Sequence, residues 1–287
     1  MFKNTYPKKI LAFCLAGALF FSSCEQENDA VIPEEPTLPS VETMLPDLSL
    51  FEDMETDGGT PNNGRTANFL PNATIAYINY VVWNTLLSID MALPVAAFAE
   101  SFNHDVTYDE ANDRWVWAYS VEAGGDTYSA RLFGTIAEEA FLWEMYASKE
   151  GNQEFQDVLW FSGTSDFDEK GGTWKIYRDS QAPKEHLDIV WSKDAQDNLN
   201  IRFTSLDLSE GSRIPKGSYV EYGVKTEGAF NFYYNLFFVQ NNDLPADKLI
   251  EIRYNSETKE GSIRSEQDFN SNEWQCWNSK FEDTACQ

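Results

Sequence analysis

The sequence predicts a mainly β domain built as one long antiparallel meander. Between Trp115 and Ile263, short apolar and aromatic runs alternate with polar, turn-rich runs roughly every 12 residues. Runs such as 115–119 are too short and too aromatic for helices, and turn signals such as 123–126 separate them. Connections this short make neighbouring strands antiparallel. Since a long meander cannot stay flat, we expect a curved sheet, half-barrel or barrel.

The apolar runs between turn signals predict about eleven strands. We expect them at 115–122, 127–134, 141–147, 157–163, 172–178, 187–192, 199–205, 218–226, 229–239, 248–254 and 260–265. In the first of these strands, Trp115, Trp117 and Tyr119 share one face, whereas Val116 and Ala118 share the other. One face of the sheet is therefore strongly aromatic.

One amphipathic helix is predicted before the meander. Apolar residues recur at three- and four-residue steps from Asn72 onward, and Pro94 should end or kink the helix, leaving 95–102 as a second short turn or helix. The recurring residues are Ile75, Ile78, Val82, Leu86, Ile89 and Leu93. Tyr77, Tyr80, Val81 and Trp83 make a second apolar face, so we expect the helix to be buried on or in the sheet.

The N-terminus has the pattern of a cleaved leader, predicted to cover 1–23. Lys8 and Lys9 precede the apolar run 10–21, which is too short to cross a membrane. Small residues then lead to Cys24, which resembles the lipobox of bacterial lipoproteins, although position 21 is Phe where Leu is usual. The acidic run 25–29 resembles the surface-export signal of Bacteroidota lipoproteins. These resemblances imply a lipidated Cys24 and an outer-membrane, surface-exposed protein.

Residues 24–70 are predicted to be an acidic tether that holds a 71–287 domain off the membrane. They contain Pro33, Pro36, Pro39, Pro46 and Pro61 together with many acids, a composition that cannot bury enough apolar surface to fold. The exception is the apolar island 44–51, which we expect to dock on the domain as an edge strand or short clip.

The overall charge excludes a nucleic-acid partner. The 287 residues include 47 acids and 21 bases, giving a net charge of −26. Binding to phosphate backbones needs a basic footprint, and this surface should repel them.

Two of the four cysteines are predicted to form a disulfide. Cys14 lies in the leader and Cys24 in the lipobox, which leaves Cys276 and Cys286. An even pair without a nearby histidine, in an oxidising compartment, favours a disulfide over a metal site.

Familiar catalytic and cofactor motifs are missing from the sequence, so no cofactor is predicted. The two histidines, His104 and His186, have no metal-site spacing, and neither a Gly-x-Ser-x-Gly elbow nor a phosphate loop occurs. Paired carboxylates remain open as a hydrolase site. The acidic turn with Asp166, Asp168 and Glu169 is a weak calcium candidate, although it lacks the ligand spacing of an EF-hand.

Most of the tryptophans should belong to the core, because large aromatic residues dominate burial. Trp274 and Trp277, close to the predicted disulfide, are the exceptions that we assign as candidate ligand-binding residues, for a glycan or an apolar molecule.

The predicted architecture resembles the half-barrel of the LolA and LolB lipoprotein carriers, over roughly 72–265 and without a shared motif. The pattern of Trp115, Trp117, Gly134, Trp143 and Cys276-Trp277 is similar to uncharacterised lipoproteins of gut and marine Bacteroidota. Together these features favour a lipid-anchored, non-catalytic envelope lipoprotein that binds a glycan or lipid or serves in an assembly. A carboxylate-dependent glycan hydrolase is the alternative.

Overall fold

The computed structural model describes residues 32–45, 51, 70–123, 125–178, 182–207, 214–242 and 244–286. The predicted leader 1–23, Cys24 and most of the predicted tether lie outside these described residues. From Glu34 onward the chain forms one compact unit.

The described residues form fourteen β-strands. Their bounds are β1 Thr107–Asp109, β2 Arg114–Ala123, β3 Asp126–Ile136, β4 Ala140–Lys149, β5 Phe155–Asp166, β6 Gly171–Arg178, β7 Lys184–Lys193, β8 Leu199–Ser205, β9 Tyr219–Glu227, β10 Phe230–Phe238, β11 Lys248–Tyr254, β12 Gly261–Arg264, β13 Gln275–Trp277 and β14 Asp283–Thr284. All neighbouring strands are antiparallel.

These strands form a single sheet in strict sequence order, with β1 and β14 as its two edges. The sheet is curled but is not a closed barrel. The predicted fold class is therefore confirmed, and the eleven predicted strands correspond to β2–β12. The three further strands, β1, β13 and β14, have two or three residues each.

Helix α1 spans Asn72–Ser101 and continues through Pro94. Its two halves, Asn72–Ser88 and Met91–Ser101, are bent by 63°. Proline has no N–H to donate to the carbonyl four residues earlier, and its ring crowds that carbonyl, so the bend lies just upstream of Pro94. A second helix, α2, is the single turn Glu266–Phe269. In the described part of the chain, no unbroken helix is long and apolar enough to cross a membrane. The two halves of α1 have that length and apolarity only when they are counted together across the bend.

The face of α1 that meets the sheet contains Tyr80 and Trp83. Ile78 and Val82 are 45% and 47% exposed, whereas Tyr80 and Trp83 are buried. The buried stripe consists of Ala73, Ala76, Tyr80, Trp83, Leu87 and Met91. Since both faces of this helix are apolar, the spacing of apolar residues could not determine which face would meet the sheet.

Helix α1 joins the two ends of the curled sheet, because it contacts β2 and β3 near one edge and β12 and β13 near the other. Tyr119 on β2 donates its hydroxyl to the Ala97 carbonyl at 2.6 Å. At the other end, the Asn72 side chain donates to the Cys276 carbonyl at 3.1 Å. The Asn72 backbone N–H donates to Asp283 Oδ1 at 2.8 Å, so a carboxylate of β14 caps the first turn. The helix thereby closes the gap that the sheet leaves open.

Residues 34–45, which we call the strap, pack along the inner face of the curled sheet. Composition had predicted that this segment would be part of an unfolded tether. Gly134 on β3 is close to Pro36. The indole of Trp174 on β6 donates to Thr43 Oγ1 at 3.0 Å, and Tyr222 on β9 donates to the Leu45 carbonyl at 2.6 Å. The strap contains a 3-10 helix, Val41–Met44, and crosses the sheet from β3 to β9.

The apolar island 44–51, whose first two residues belong to the strap, docks on the domain as predicted, at the residues that the structure describes. Met44 is fully buried, and it ends a 3-10 helix rather than lying in an edge strand. Phe51 is 1% exposed, with its ring 5.2 Å from Tyr80 on α1 and 5.1 Å from Tyr254 on β11.

Candidate functional site

The interior of the curled sheet is packed with the protein's own side chains. The buried residues of the sheet, α1 and the strap form one continuous core. Its largest fully buried members are Trp83, Trp117, Trp143, Trp174, Trp191, Trp277, Tyr234, Tyr254, Phe51, Phe98, Phe161 and Phe203. No Asp or Glu is buried in the described part of the chain. The inner face therefore offers neither an apolar ligand chamber nor an inward-facing carboxylate pair among these residues.

The two candidate tryptophans have different positions. Trp277 is 1% exposed and donates its indole N–H to the Lys259 carbonyl at 3.1 Å, so it belongs to the core and cannot contact a ligand. Trp274 is half-buried at the surface. The guanidinium groups of Arg253 and Arg264 lie 4.0 Å and 4.6 Å from its ring centre, in cation–π geometry.

Cys276 and Cys286 form the predicted disulfide, with their Cα atoms 5.3 Å apart. Cys276 lies in β13 and is paired with Thr284 of β14. The disulfide therefore fastens the last strand of the sheet beside Trp274 and beside the residue that caps α1.

The acidic turn between β5 and β6 is explained by local structure. The Glu169 N–H donates to the Asp166 carbonyl at 3.0 Å, and Asp168 Oδ1 accepts the Lys170 N–H at 3.2 Å. Within the ranges that the structure describes, no group of three or more His, Cys, Asp or Glu side chains could hold a metal ion. These bonds give the acids a turn-forming role.

The outer face of β8–β12 contains a polar row that crosses five strands. Strand register places Arg202 opposite Glu221, Glu221 opposite Asn235, Asn235 opposite Glu251, and Glu251 opposite Arg264. Arg202 Nη2 donates to Glu221 Oε2 at 2.7 Å, and Arg264 donates to Glu251 Oε2 at 2.6 Å. Two ion pairs therefore flank a central amide.

An apolar row lies beside the polar one. Tyr219 is opposite Phe237, which is opposite Leu249. The rings of Tyr219 and Phe237 are stacked with centres 5.3 Å apart, and Leu249 is 40% exposed. The Arg202 guanidinium lies 4.1 Å from the Tyr219 ring centre, which links the two rows. We call these two rows, together with Trp274, the outer platform.

A shallow groove of about 370 Å³ opens at the β10–β12 end of the outer platform. Its lining includes Phe237, Asp247, Leu249, Glu251, Arg264, Ser265, Glu266, Gln267 and Asn272. It therefore combines an aromatic ring and an aliphatic side chain with carboxylate, amide and hydroxyl groups. Such convergence of apolar and polar groups in a concavity is typical of a ligand site.

Paired charges dominate the electrostatics of the outer platform. The hydrogen bond that Arg202 donates to Glu221 raises the pKa of the Arg202 guanidinium, which therefore stays protonated. Burial, together with the nearby Glu221 carboxylate, raises the pKa of Tyr233 to about 12, which keeps its hydroxyl protonated. That hydroxyl donates to Asn200 Oδ1 at 3.4 Å. In a chain with net charge −26, the two arginines and two glutamates of the polar row cancel.

Only Trp274 was identified from the sequence as part of this surface. The remaining side chains of the two rows are ordinary outward residues of alternating strands. Their convergence depends on cross-strand register, and residues 202 and 264 are far apart in sequence. The alternation within β8–β12 could have shown that these residues point outward, but not that they share two rows.

No protein-family model, no curated protein and no solved structure matches this chain.

Proposed function

We propose that this protein is a non-catalytic, lipid-anchored surface lipoprotein that binds neutral glycans on its outer platform. The observation that supports this most is the juxtaposition of the stacked Tyr219 and Phe237 rings with a groove rich in carboxylate and amide groups. Aromatic faces pack against the apolar faces of sugar rings, while amides and carboxylates bind their hydroxyls.

The sequence suggested either a glycan or an apolar molecule as the ligand. The position of the open groove in the structure favours one of these two classes. A lipid or other apolar molecule needs an enclosed apolar chamber. The inner face that could form one is occupied by the core and the strap, with Met44 fully buried. The groove is open, lies on the outside and is lined by both polar and apolar groups, which favours a glycan.

The negative charge of the protein favours neutral glycans over acidic ones. The protein has a net charge of −26, so acidic polysaccharides are repelled at a distance. The arginines of the polar row are each paired with a glutamate and hold no excess positive charge for a sulfate or uronate. Neutral polysaccharides are therefore the expected ligands.

The hydrolase alternative has less support. Two of the three carboxylates that line the groove are engaged, which leaves Glu266 as the third. Glu251 pairs with Arg264, and Asp247 Oδ1 accepts the Gln240 N–H at 2.8 Å. A retaining or inverting hydrolase needs one carboxyl held protonated and a second one free to act as base or nucleophile. Binding without cleavage fits these partners better.

Affinity electrophoresis tests this proposal, with native gels containing starch, β-glucan, xylan or mannan. We expect at least one neutral polysaccharide to retard the full chain, and Phe237→Ala to abolish most of the retardation. Leu142→Ala is the matched control, since Leu142 is 42% exposed on β4, away from the outer platform. Equal retardation of both variants, or release of reducing ends from the retained polysaccharide, would contradict the proposal.

A further inference from the structure

The outward face of α1 is an apolar stripe without a partner in the described part of the chain. Ile78 and Val82 are 45% and 47% exposed, and Leu70, just before the helix, is 48% exposed. Leu86 is half-buried at the same side of the helix. We call these four residues the outer stripe. Ile78, Val82 and Leu86 are spaced about one helical turn apart and lie opposite the stripe that packs on the sheet.

Solvation does not account for this composition. The exposed face of a globular helix usually holds charged residues. From Asn72 to Ile89 the sequence has no Asp, Glu, Lys or Arg, whereas 24% of the whole chain is charged. A contiguous apolar face of this kind marks a contact surface.

We propose that the outer stripe rests on the surface of the lipid bilayer to which the chain is anchored. This inference rests on the proposed lipidation of Cys24. Helix α1 would lie in the plane of the interface, with its outer stripe in the headgroup and acyl boundary and its inner stripe on the sheet.

The length of chain before the domain favours the bilayer as the occupant. Nine residues, 25–33, separate Cys24 from Glu34, the first residue of the compact unit. Nine residues span at most about 30 Å, so a lipid on Cys24 keeps the domain beside the membrane. Contact of the outer stripe with lipid is then an intramolecular event at high effective concentration, and a few exposed apolar side chains suffice.

Charge disfavours a second copy of the chain as the occupant. Two copies would bring together chains whose full sequences each have a net charge of −26. A bilayer of zwitterionic lipids presents no such opposing charge. The uncharged stretch of α1 can therefore approach lipid more readily than it can approach another copy of this protein.

The test uses the lipidated full chain in phosphatidylcholine vesicles. A Val82→Cys variant and a Val190→Cys variant are each labelled with an environment-sensitive fluorophore. Val190 is the matched control, because it is 48% exposed and lies on β7. With Cys24 acylated and Cys276 bonded to Cys286, the introduced thiol is the reactive one in the mature chain.

We expect nitroxide-labelled lipids to quench the fluorophore at position 82 several-fold more than the one at position 190. Equal quenching at both positions, in chains that float with the vesicles, would overturn this inference and leave the proposed anchor intact. Chains that do not float would overturn both the anchor and the inference.

A second measurement separates lipid from a protein partner. Sedimentation of the unlipidated Cys24→Ala chain should give a monomer. A dimer that Val82→Glu converts to monomer, while Val190→Glu does not, would overturn the inference in favour of a second copy. Thermal unfolding of both glutamate variants should match the parent, because both positions are about half exposed.

Discussion

At the scale of single residues, tryptophan–glycine pairs shape the inner face of the sheet. Register places Gly134 opposite Trp143, Gly163 opposite Trp174, Gly172 opposite Trp191, and Gly261 opposite Trp277. A Cβ on Gly261 would lie 2.0 Å from the Trp277 ring, and one on Gly163 would lie 2.3 Å from the Trp174 ring. Each glycine leaves the room in which an indole lies flat against the neighbouring strand.

Replacing Gly163 by alanine should therefore destabilise the fold. The new Cβ would also lie 2.2 Å from the Thr173 carbonyl oxygen, and neither this backbone nor the buried Trp174 can move freely. We expect the free energy of unfolding in urea to fall by about 1–3 kcal/mol, the usual range for overpacking. Ser120→Ala, at an exposed position of β2, should change it by less than about 0.5 kcal/mol. An unchanged midpoint for Gly163→Ala would refute the packing argument.

Asp188 provides a pH-dependent prediction. Burial raises the pKa of the Asp188 carboxyl above its usual range, while Lys175, which pairs with Glu185 at 2.8 Å, only partly offsets this effect. A raised pKa in the folded state means that ionisation destabilises the fold once pH exceeds the unfolded value of about 4. Asp188→Asn should thus raise the free energy of unfolding at pH 7.

The same variant should show no gain below about pH 3, where the wild-type carboxyl is protonated in both states. Asp105→Asn, in an exposed loop, controls for the general relief of negative charge. A gain at pH 7 that equals the gain of this control would contradict the assignment of the effect to burial.

At the scale of elements, the strap is the feature that most changes the predicted structure. It is fixed inside the sheet by side chains from distant strands, and the bond from Trp174 to Thr43 Oγ1 is fully buried. Thr43→Val keeps the shape of the side chain but leaves the Trp174 indole N–H without an acceptor. An unsatisfied buried donor costs about 1–3 kcal/mol.

We therefore expect Thr43→Val to lower the midpoint of thermal unfolding by several degrees. Thr85→Val, on the exposed side of α1, is the control and should leave it nearly unchanged. If both variants melt with the wild type, the strap is not bound in this position in solution.

Strands and helices could be predicted from the sequence where apolar residues recur at a regular spacing. The strands β2–β12 are long enough to alternate, whereas β13 and β14 have three and two residues and contain no pattern to detect. The strap escaped prediction because only Pro36, Pro39, Thr43 and Met44 of its residues are buried, within an acidic and proline-rich segment. Which face of α1 is buried could not be predicted from the sequence, because both of its faces are apolar.

At the scale of the whole molecule, the candidate site could be predicted only in part. Trp274 was found because it lies beside the disulfide in sequence. The rest of the outer platform is created by the pairing of five strands, which brings residue 202 into one row with residue 264. Composition can indicate a β-meander with outward polar residues, but the row to which each residue belongs is a tertiary property.

The proposed membrane anchor gives a prediction for the whole chain. Cys24→Ala should yield an unlipidated product in the soluble fraction of cells, because the thiol that would accept lipid is gone. Cys14→Ala, within the predicted leader, should remain in the membrane fraction as wild type does. Membrane retention of the Cys24→Ala product would refute lipid anchoring through this residue.

Hydrogen–deuterium exchange, measured with and without the neutral polysaccharide that retards the protein most, tests whether the ligand binds on the outer platform. The outer platform is proposed to bind while the interior stays filled by core and strap. We predict that the ligand slows amide exchange in β10–β12 and in 265–274, and leaves residues 34–45 unchanged. Slowed exchange confined to the strap and the inward-facing strands, or none in β10–β12, would contradict it.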